Sequence, residues 1–167
     1  MRLIKLLFIF IILSSCKKDK PVEPVVPVIM TDGVVVLCEG LFQQNNSTVS
    51  WIELNDNTIS NDLFYQRASR SLGDTGNDLL KYGGKVYISV NVSSTIEILE
   101  FSNFELLKQL SMIQNNVPKQ PRNMVGYGEN VYISCYDGYV DVLDTTTLSI
   151  VARILVGPNP EGLIISN

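Results

Sequence analysis

The chain has 167 residues, of which 46% are hydrophobic and 18% are charged, and it contains no histidine. Its formal net charge of −4 argues against a sequence-independent grip on nucleic acid, which needs clustered lysine and arginine, so we expect no nucleic-acid partner. Because histidine is the commonest general base and the commonest metal ligand, the composition disfavours an enzyme, and we predict no cofactor and no metal site.

The N-terminus combines positive charge with a short apolar run. Arg2 and Lys5 precede or adjoin the unbroken apolar stretch of residues 6–13 (LLFIFIIL). A helix of that length rises about 12 Å, far less than the ~30 Å hydrocarbon core of a membrane. We therefore predict that residues 1–15 are a signal peptide and not a spanning helix.

Residues 13–16 (LSSC) resemble the lipobox of bacterial lipoproteins, in which small residues precede a cysteine that becomes lipidated. The resemblance implies that Cys16 carries the lipid and is the mature N-terminus, and an ordinary secretory signal is the alternative. Acyl chains on Cys16 would anchor the protein durably in a membrane. Prolines follow at every third position, at residues 21, 24 and 27, which favours an extended spacer. We interpret residues 16–32 as a lipid anchor and a proline-rich tether.

From residue 33 onward, short runs rich in valine, isoleucine and tyrosine alternate with glycine, asparagine and aspartate, a pattern typical of an all-β protein. The sequence also repeats itself, since residues 83–89 (GGKVYIS) align with residues 128–134 (GENVYIS) at an offset of 45 (128 against 83). The next runs, residues 95–100 and 139–144, align at an offset of 44 (139 against 95). Four strands per period of about 45 residues predict the blades of a β-propeller.

The repeat predicts an all-β, partial propeller with about three four-stranded blades. We place the blades at about residues 33–65, 76–112 and 121–156, and we place the first strand of a further blade at residues 161–167. The first blade lacks its innermost strand. Because known propellers close with about four to eight blades, we expect further blades, from a longer protein, a split gene or a second chain, to complete the ring.

Several motifs resemble those of known propellers. Residues 157–162 (GPNPEG), residues 140–145 (VDVLDT) and the two VYIS strands resemble the YVTN-type or YncE-like propellers. Residues 33–40 (GVVVLCEG), 61–64 (NDLF) and 71–74 (SLGD) resemble surface propeller lipoproteins of Bacteroidetes. This resemblance implies an outer-membrane lipoprotein, on the periplasmic side or at the cell surface. This group includes surface proteins that capture cobalamin and hand it to a TonB-dependent transporter, so the resemblance also implies nutrient capture beside such a transporter.

Loops of successive blades meet on one face of a propeller, and here those loops are rich in amides, aromatic residues and arginine. This composition suits a polar ligand better than catalysis. We therefore predict a non-catalytic protein that binds a small molecule or glycan through Phe42, Gln43, Asn45, Arg70, Asn91, Arg122, Tyr136, Asp137 and Asn159. The alternatives are a structural or adhesion protein of the cell envelope and a propeller enzyme such as a lactonase.

Cys38 and Cys135 occupy equivalent positions of two aligned repeats, which we call the same slot, and Val90 occupies that slot in the repeat between them. A slot shared with valine predicts a small buried side chain. We expect no disulfide between the two cysteines because a whole blade separates them.

Two further groups of residues are predicted to be structural. Four tyrosines recur at the repeat spacing and are interpreted as packing residues: Tyr82, Tyr87, Tyr127 and Tyr132. A chain with 17 acidic residues contains close acidic pairs by chance, and two such pairs are assigned structural roles: Asp74 with Asp78, and Asp137 with Asp141.

Overall fold

The computed structural model describes residues 32–166. The predicted signal peptide, the predicted lipid-bearing Cys16 and all of the tether except Asp32 lie outside these described residues. Among residues 32–166 we find no helix that is long and apolar enough to span a membrane.

Blade 1 is a three-stranded antiparallel sheet followed by a short helix. Its strands meander in the order β1 (Gly33–Cys38), β2 (Thr48–Glu53) and β3 (Ile59–Ser60). The helix α1 (Leu63–Ala68) was not predicted from the sequence. Asp62 caps it by accepting a hydrogen bond from the backbone N–H of Tyr65. One side of α1 is buried through Leu63 and Phe64, which pack in the core between blade 1 and the next blade.

Blades 2 and 3 are complete four-stranded antiparallel meanders. Blade 2 contains β4 (Gly76–Tyr82), β5 (Lys85–Val90), β6 (Thr95–Glu100) and β7 (Leu106–Ser111). A small hairpin follows, made of β8 (Ile113–Gln114) and β9 (Val117–Pro118). Blade 3 contains β10 (Pro121–Tyr127), β11 (Asn130–Cys135), β12 (Tyr139–Asp144) and β13 (Ser149–Leu155). The prediction of a partial β-propeller built from four-stranded blades is confirmed.

In blades 2 and 3 a tight turn connects the innermost strand to the next strand of the blade. The turn between β4 and β5 is Gly83–Gly84, and both residues have a positive φ, 56° and 76°. A two-residue hairpin turn of this hand requires φ above zero at both positions, a conformation that glycine adopts without steric cost. The turn thereby sets the register in which Tyr82 pairs with Lys85.

The core lies between the blades and not within any one of them. Along β5, Val86, Ile88 and Val90 belong to the cluster shared with blade 1, whereas Tyr87 belongs to the cluster shared with blade 3. All four are fully buried. A strand covered on both faces carries an almost continuous apolar run, which explains the sequence KVYISV. The packing role predicted for Tyr87 is confirmed, whereas the same prediction is wrong for Tyr127, which is 57% exposed.

Cys135 is fully buried, as predicted, and burial raises the pKa of its thiol to about 12. The prediction of a buried side chain is wrong for Cys38, which is exposed. The physical reason is its position in blade 1. In blade 3, β10 lies beside β11 and blade 2 covers the sheet, whereas no strand within residues 32–166 flanks β1 on its free edge. Both cysteines are free, so no disulfide links them.

The prediction of a strand at residues 161–167 needs a correction. Residues 161–166 form no strand, because a strand is defined by its ladder hydrogen bonds and no other strand within the described residues pairs with this segment. The segment nevertheless lies against blade 3, since Ser134 Oγ donates a hydrogen bond to Glu161 O at 2.7 Å. We call residues 161–166 the C-terminal segment.

We predict that truncation of a side chain between the blades destabilises the protein strongly. Ile98 is fully buried in the cluster between blades 2 and 3, and Ile98→Ala should lower the free energy of unfolding by about 3 kcal/mol through lost burial and a residual cavity. Leu107, 44% exposed on β7, is the matched control, and Leu107→Ala should change stability by less than about 0.5 kcal/mol. Urea denaturation of the full chain measures both. If Ile98→Ala and Leu107→Ala lowered the free energy of unfolding equally, the result would contradict a core that lies between the blades.

Candidate functional site

Backbone hydrogen bonds join the loops of the three blades at one face of the protein. They run from Ser47 N to Gly73 O (3.1 Å), from Asn91 N to Thr75 O (2.8 Å), from Met112 N to Ser94 O (2.8 Å), from Tyr136 N to Gln120 O (3.2 Å) and from Gly157 N to Gly138 O (3.2 Å). We call this surface the loop face. It comprises the segments 39–47, 70–75, 91–94, 112–120, 136–138 and 156–161.

The first loop brings three predicted site residues to this face. Phe42 is 68% exposed. The backbone N–H of Gln43 donates to Asp74 Oδ1 at 3.1 Å, and Asn45 Nδ2 donates to Ser71 Oγ at 3.2 Å. These bonds hold the blade 1 loop against the segment that leads into blade 2, and they leave the Phe42 ring projecting outward.

The structure separates the two predicted asparagines that follow. Asn91 lies beneath the loop face, only 5% exposed, and its Nδ2 donates to Pro121 O at 3.2 Å. It therefore ties the β5–β6 turn of blade 2 to the start of blade 3. Asn159 is exposed and has a positive φ of 50° in the turn that precedes the C-terminal segment.

The structure brings Arg122 and Tyr136 together with Glu161, a residue that was not predicted from the sequence. The Arg122 guanidinium carbon lies 4.6 Å from the centre of the Tyr136 ring, and Arg122 Nε lies 3.1 Å from Glu161 Oε2. The Tyr136 hydroxyl donates to Glu161 Oε1 at 2.5 Å. The one signal that could have found Glu161 is its alignment with Arg122 at the start of an inner strand.

These contacts shift the proton affinities of the two partners in opposite directions. The Tyr136 hydroxyl, and then Arg122, lower the pKa of the Glu161 carboxyl. The hydrogen bond to Glu161 raises the pKa of Tyr136. The arrangement is therefore a carboxylate that accepts hydrogen bonds from a neutral phenol and a guanidinium.

A polar cleft of about 450 Å³ opens where β4 and β10, the innermost strands of blades 2 and 3, begin. Of the predicted site residues only Arg122 lines it, and the other lining residues are Leu37, Glu39, Gly76, Asn77, Asp78 and Leu79. Asp78 is held in place because its Oδ2 accepts a hydrogen bond from Met124 N at 2.7 Å. The cleft thus combines one guanidinium with two carboxylates and an amide.

A buried carboxylate recurs beneath the loop face in the same slot of blades 2 and 3. In blade 2 it is Glu97, which meets Arg70 Nη2 at 2.6 Å and Gln109 Nε2 at 2.7 Å. In blade 3 it is Asp141, which meets Lys119 Nζ at 2.7 Å and Arg153 Nε at 2.6 Å. Both carboxylates have fully buried side chains.

Two predicted site residues are engaged in these networks. Arg70 pairs with Glu97 and lies over the Phe64 ring at 4.9 Å, so its guanidinium holds α1 and blade 2 together. Asp137 Oδ2 pairs with Arg153 Nη2 at 2.5 Å. The structural role predicted for the pair Asp137 and Asp141 fits this geometry, since both bind the same arginine.

The loop face offers hydrogen-bond donors, acceptors, aromatic rings and partly exposed guanidinium groups, among them those of Arg70 and Arg122. Within residues 32–166 no three potential ligands of the histidine, cysteine, aspartate or glutamate type lie close enough to hold a metal ion. Recognition through hydrogen bonds and stacking is the chemistry that these groups support directly.

Taken together, the meandering blades, the core between them and the shared loop face define a partial β-propeller. The chain belongs to the family described as Domain of unknown function (DUF5074), whose model matches residues 32–164. No curated protein matches the chain.

Solved structures are similar to this chain at low sequence identity. The computationally designed Ika8 protein has a TM-score of 0.56 and 11% identity, over 78% of this chain and 39% of that one. Dihydro-heme d1 dehydrogenase NirN has a TM-score of 0.55 and 12% identity, over 76% of this chain and 29% of that one. The WD40 β-propeller domain of Doa1 has a TM-score of 0.48 and 15% identity, over 71% of this chain and 39% of that one. The chain therefore spans less than half of each, and the likeness to Ika8 and NirN concerns the fold alone.

We predict that the buried carboxylate of blade 3 is required for stability. Asp141→Ala removes the partner of Lys119, whose side chain is only 9% exposed, and an unpaired buried ammonium is costly. The free energy of unfolding should fall by about 3 kcal/mol. Glu129→Ala, at an exposed acidic position, is the control and should stay within about 0.5 kcal/mol of the natural chain. Urea denaturation of both variants checks this, and similar losses would contradict it.

We predict that the hydrogen bond between Tyr136 and Glu161 depends on pH at both ends of the scale. A lowered Glu161 pKa means that its contribution is present above the ordinary value of 4.5 and is lost as the pH falls through the lowered pKa. A raised Tyr136 pKa means that the contribution is present below pH 10.0 and is lost as the pH rises through the raised pKa.

Glu161→Gln should therefore move the titration midpoint of Tyr136 downward, toward 10.0, because the charged acceptor is gone. NMR of tyrosine labelled with ¹³C at Cζ measures it, with Tyr136→Phe to assign the signal. Glu129→Gln is the control, and an unchanged midpoint in Glu161→Gln would disprove the bond.

Proposed function

We propose that this protein is a non-catalytic binding protein that presents its loop face to a polar ligand. One observation supports this above all: backbone hydrogen bonds join loops from all three blades into one surface, beside a polar cleft of about 450 Å³. A rigid scaffold that carries such loops is the usual way in which proteins position binding residues.

The chemistry of the face favours a ligand that is rich in hydroxyl or amide groups. Arg122 lines the cleft while its guanidinium rests on the Tyr136 ring, so it is held with little freedom left to lose on binding. Glu39 and Asp78 add carboxylate acceptors. Phe42, 68% exposed, offers a ring on which an apolar or planar part of the ligand can rest. A small molecule or a glycan combines these features.

We further propose the cellular setting. The LSSC sequence supports lipidation of Cys16, and the proline-rich residues 16–32 would hold the propeller away from the membrane. In this proposal the protein is an outer-membrane lipoprotein, on the periplasmic side or at the cell surface, as in the YncE-like surface lipoproteins of Bacteroidetes that it resembles. The ligand is then a nutrient, with cobalamin as the concrete candidate, and a TonB-dependent transporter is the partner.

Equilibrium dialysis of the full chain in detergent against cyanocobalamin, together with a glycan array, tests the proposal. Phe42→Ala removes an exposed ring on the loop face. Leu54→Ala is the matched control, since Leu54 is 55% exposed in the β2–β3 turn at the opposite end of blade 1. We expect Phe42→Ala to weaken binding about tenfold, the equivalent of about 1.4 kcal/mol, and Leu54→Ala to leave it unchanged.

Three results would contradict the proposal. If the protein bound neither cyanocobalamin nor any glycan, this result would favour a structural or adhesion protein. Chemical conversion of the bound compound would identify an enzyme. Equal weakening in Phe42→Ala and Leu54→Ala would place binding away from the loop face.

A further inference from the structure

A groove of about 440 Å³ runs between the outermost strands of blades 2 and 3, β7 and β13. We call it the rim groove. Its apolar lining includes Leu110 of β7, Ile113 of the β8–β9 hairpin and Val151 of β13, and its polar lining includes Lys119 and Arg153. The volume falls within the range of about 300–1,000 Å³ that is usual for ligand sites. Both walls belong to blades 2 and 3, so the groove does not depend on an uncovered face or edge.

Two contacts between the blades flank the rim groove. At one end, Lys108 Nζ of β7 donates a hydrogen bond to Leu148 O, just before β13, at 2.6 Å. At the other end, Arg153 Nη1 donates to Gln114 Oε1 of the hairpin at 2.8 Å. A strand rises about 3.3 Å per residue, so the five steps from residue 148 to residue 153 cover about 16 Å. The groove is therefore about as long as five extended residues.

The polar groups of the rim groove retain hydrogen-bond donors that the protein does not use. An ammonium has three N–H donors and a guanidinium has five. Within residues 32–166, Lys119 Nζ makes one hydrogen bond, to Asp141, and Arg153 makes three, to Asp141, Gln114 and Asp137. The Lys119 side chain is only 9% exposed, so little water reaches its remaining donors. Acceptor groups of a ligand in the groove would satisfy them.

The charges beside the groove are already balanced. Asp137 and Asp141 offset Lys119 and Arg153, so a phosphate or another strongly charged ligand gains no net attraction there. Among the described residues that line the groove none is aromatic, so a sugar finds no ring on which to stack. Aliphatic side chains beside unused donors match an extended peptide instead. Its carbonyl groups accept hydrogen bonds, and its apolar side chains can be buried against the aliphatic lining.

The apolar lining is presented outward by two local irregularities. Val151 is bulged out of the strand ladder, since its neighbours Ile150 and Ala152 pair with Leu143 and Val142, and it is 57% exposed. Bulges often re-aim a side chain beside a functional site. Ile113, 51% exposed, lies on the β8–β9 hairpin, which interrupts the repeat. Insertions into repeats often lie at a binding face.

We propose that the rim groove binds an extended, uncharged and apolar segment of a partner protein. Aliphatic side chains of the segment contact Leu110, Ile113 and Val151, and its backbone carbonyls accept hydrogen bonds from Lys119 and Arg153. The proposal does not rest on the polar ligand of the loop face. The rim groove lies beside β13, whereas the cleft that Arg122 lines lies beside β10, at the other edge of the blade 3 sheet.

A phage-displayed library of random heptapeptides tests the proposal. The library is depleted on detergent micelles alone and then selected on the full chain in the same detergent. We expect the enriched peptides to carry two or more aliphatic residues and no charged residue. Failure to enrich any peptide, or enrichment of peptides with a shared charge, would overturn the proposal.

Two matched variants locate the binding of a synthetic copy of the enriched peptide, measured by fluorescence anisotropy. Val151→Glu places a carboxylate on the rim groove and should weaken binding at least about tenfold. Leu107→Glu is the control, because Leu107 is bulged from β7 in the same slot and is 44% exposed but does not line the groove. It should change binding by less than about twofold. Equal weakening in the two variants would place the peptide elsewhere and overturn the proposal.

Two further readouts separate this site from the loop face and test its donors. Phe42→Ala, the variant that tests the loop face, should leave peptide binding unchanged, and a loss as large as that of Val151→Glu would overturn a separate site. NMR of lysine labelled with ¹⁵N at Nζ follows the Lys119 ammonium, with Lys119→Arg to assign its signal. The peptide should shift this signal and leave that of the exposed Lys81 in place. An unmoved Lys119 signal in the presence of bound peptide would disprove the proposed hydrogen bonds.

Discussion

The structure depends on one constraint: a blade has two apolar faces and can bury neither by itself. Side chains alternate along β5, so that Val86 and Ile88 point to blade 1 while Tyr87 points to blade 3. Each blade therefore needs a neighbour on both sides, and the core forms in the spaces between blades. The short helix α1 serves the same end, because Leu63 and Phe64 add to the cluster between blades 1 and 2.

The loop face follows from this stacking. Adjacent blades run in the same sense, so their turns arrive at one end, where backbone hydrogen bonds connect them. Just beneath, Glu97 and Asp141 stand in matching slots and are each neutralised by cations from different segments. Buried carboxylates are costly unless they are paired, so Arg70 and Lys119 extend toward the interior and form ion pairs with them. They thereby tie the loops between blades to the central strands, beside the cleft that Arg122 lines.

Several features could not be read from the sequence, for identifiable reasons. The helix α1 spans only six residues, too few to establish a helical period. The hairpin of β8 and β9 interrupts the repeat, and its strands have two residues each. Cys38 and Cys135 share a slot, yet only Cys135 is buried, because exposure depends on whether a neighbouring blade is present. For the candidate site, the repeat indicated the face but not which side chains would be engaged by other residues of the protein. Arg70, Asn91 and Asp137 form such internal ion pairs and hydrogen bonds.

The sequence by itself determined the repeating unit: the period, the four strands of a blade and the alternation that directs residues to one neighbour or the other. These are local properties, carried by side chains a few residues apart and by turns such as Gly83–Gly84. Tertiary structure alone decided which polar groups meet. Glu161 joins Arg122 and Tyr136 across 39 and 25 residues of chain, a pairing that no spacing within one repeat encodes. Such contacts arise only when blades stack, because stacking brings together the ends of strands that are distant along the chain.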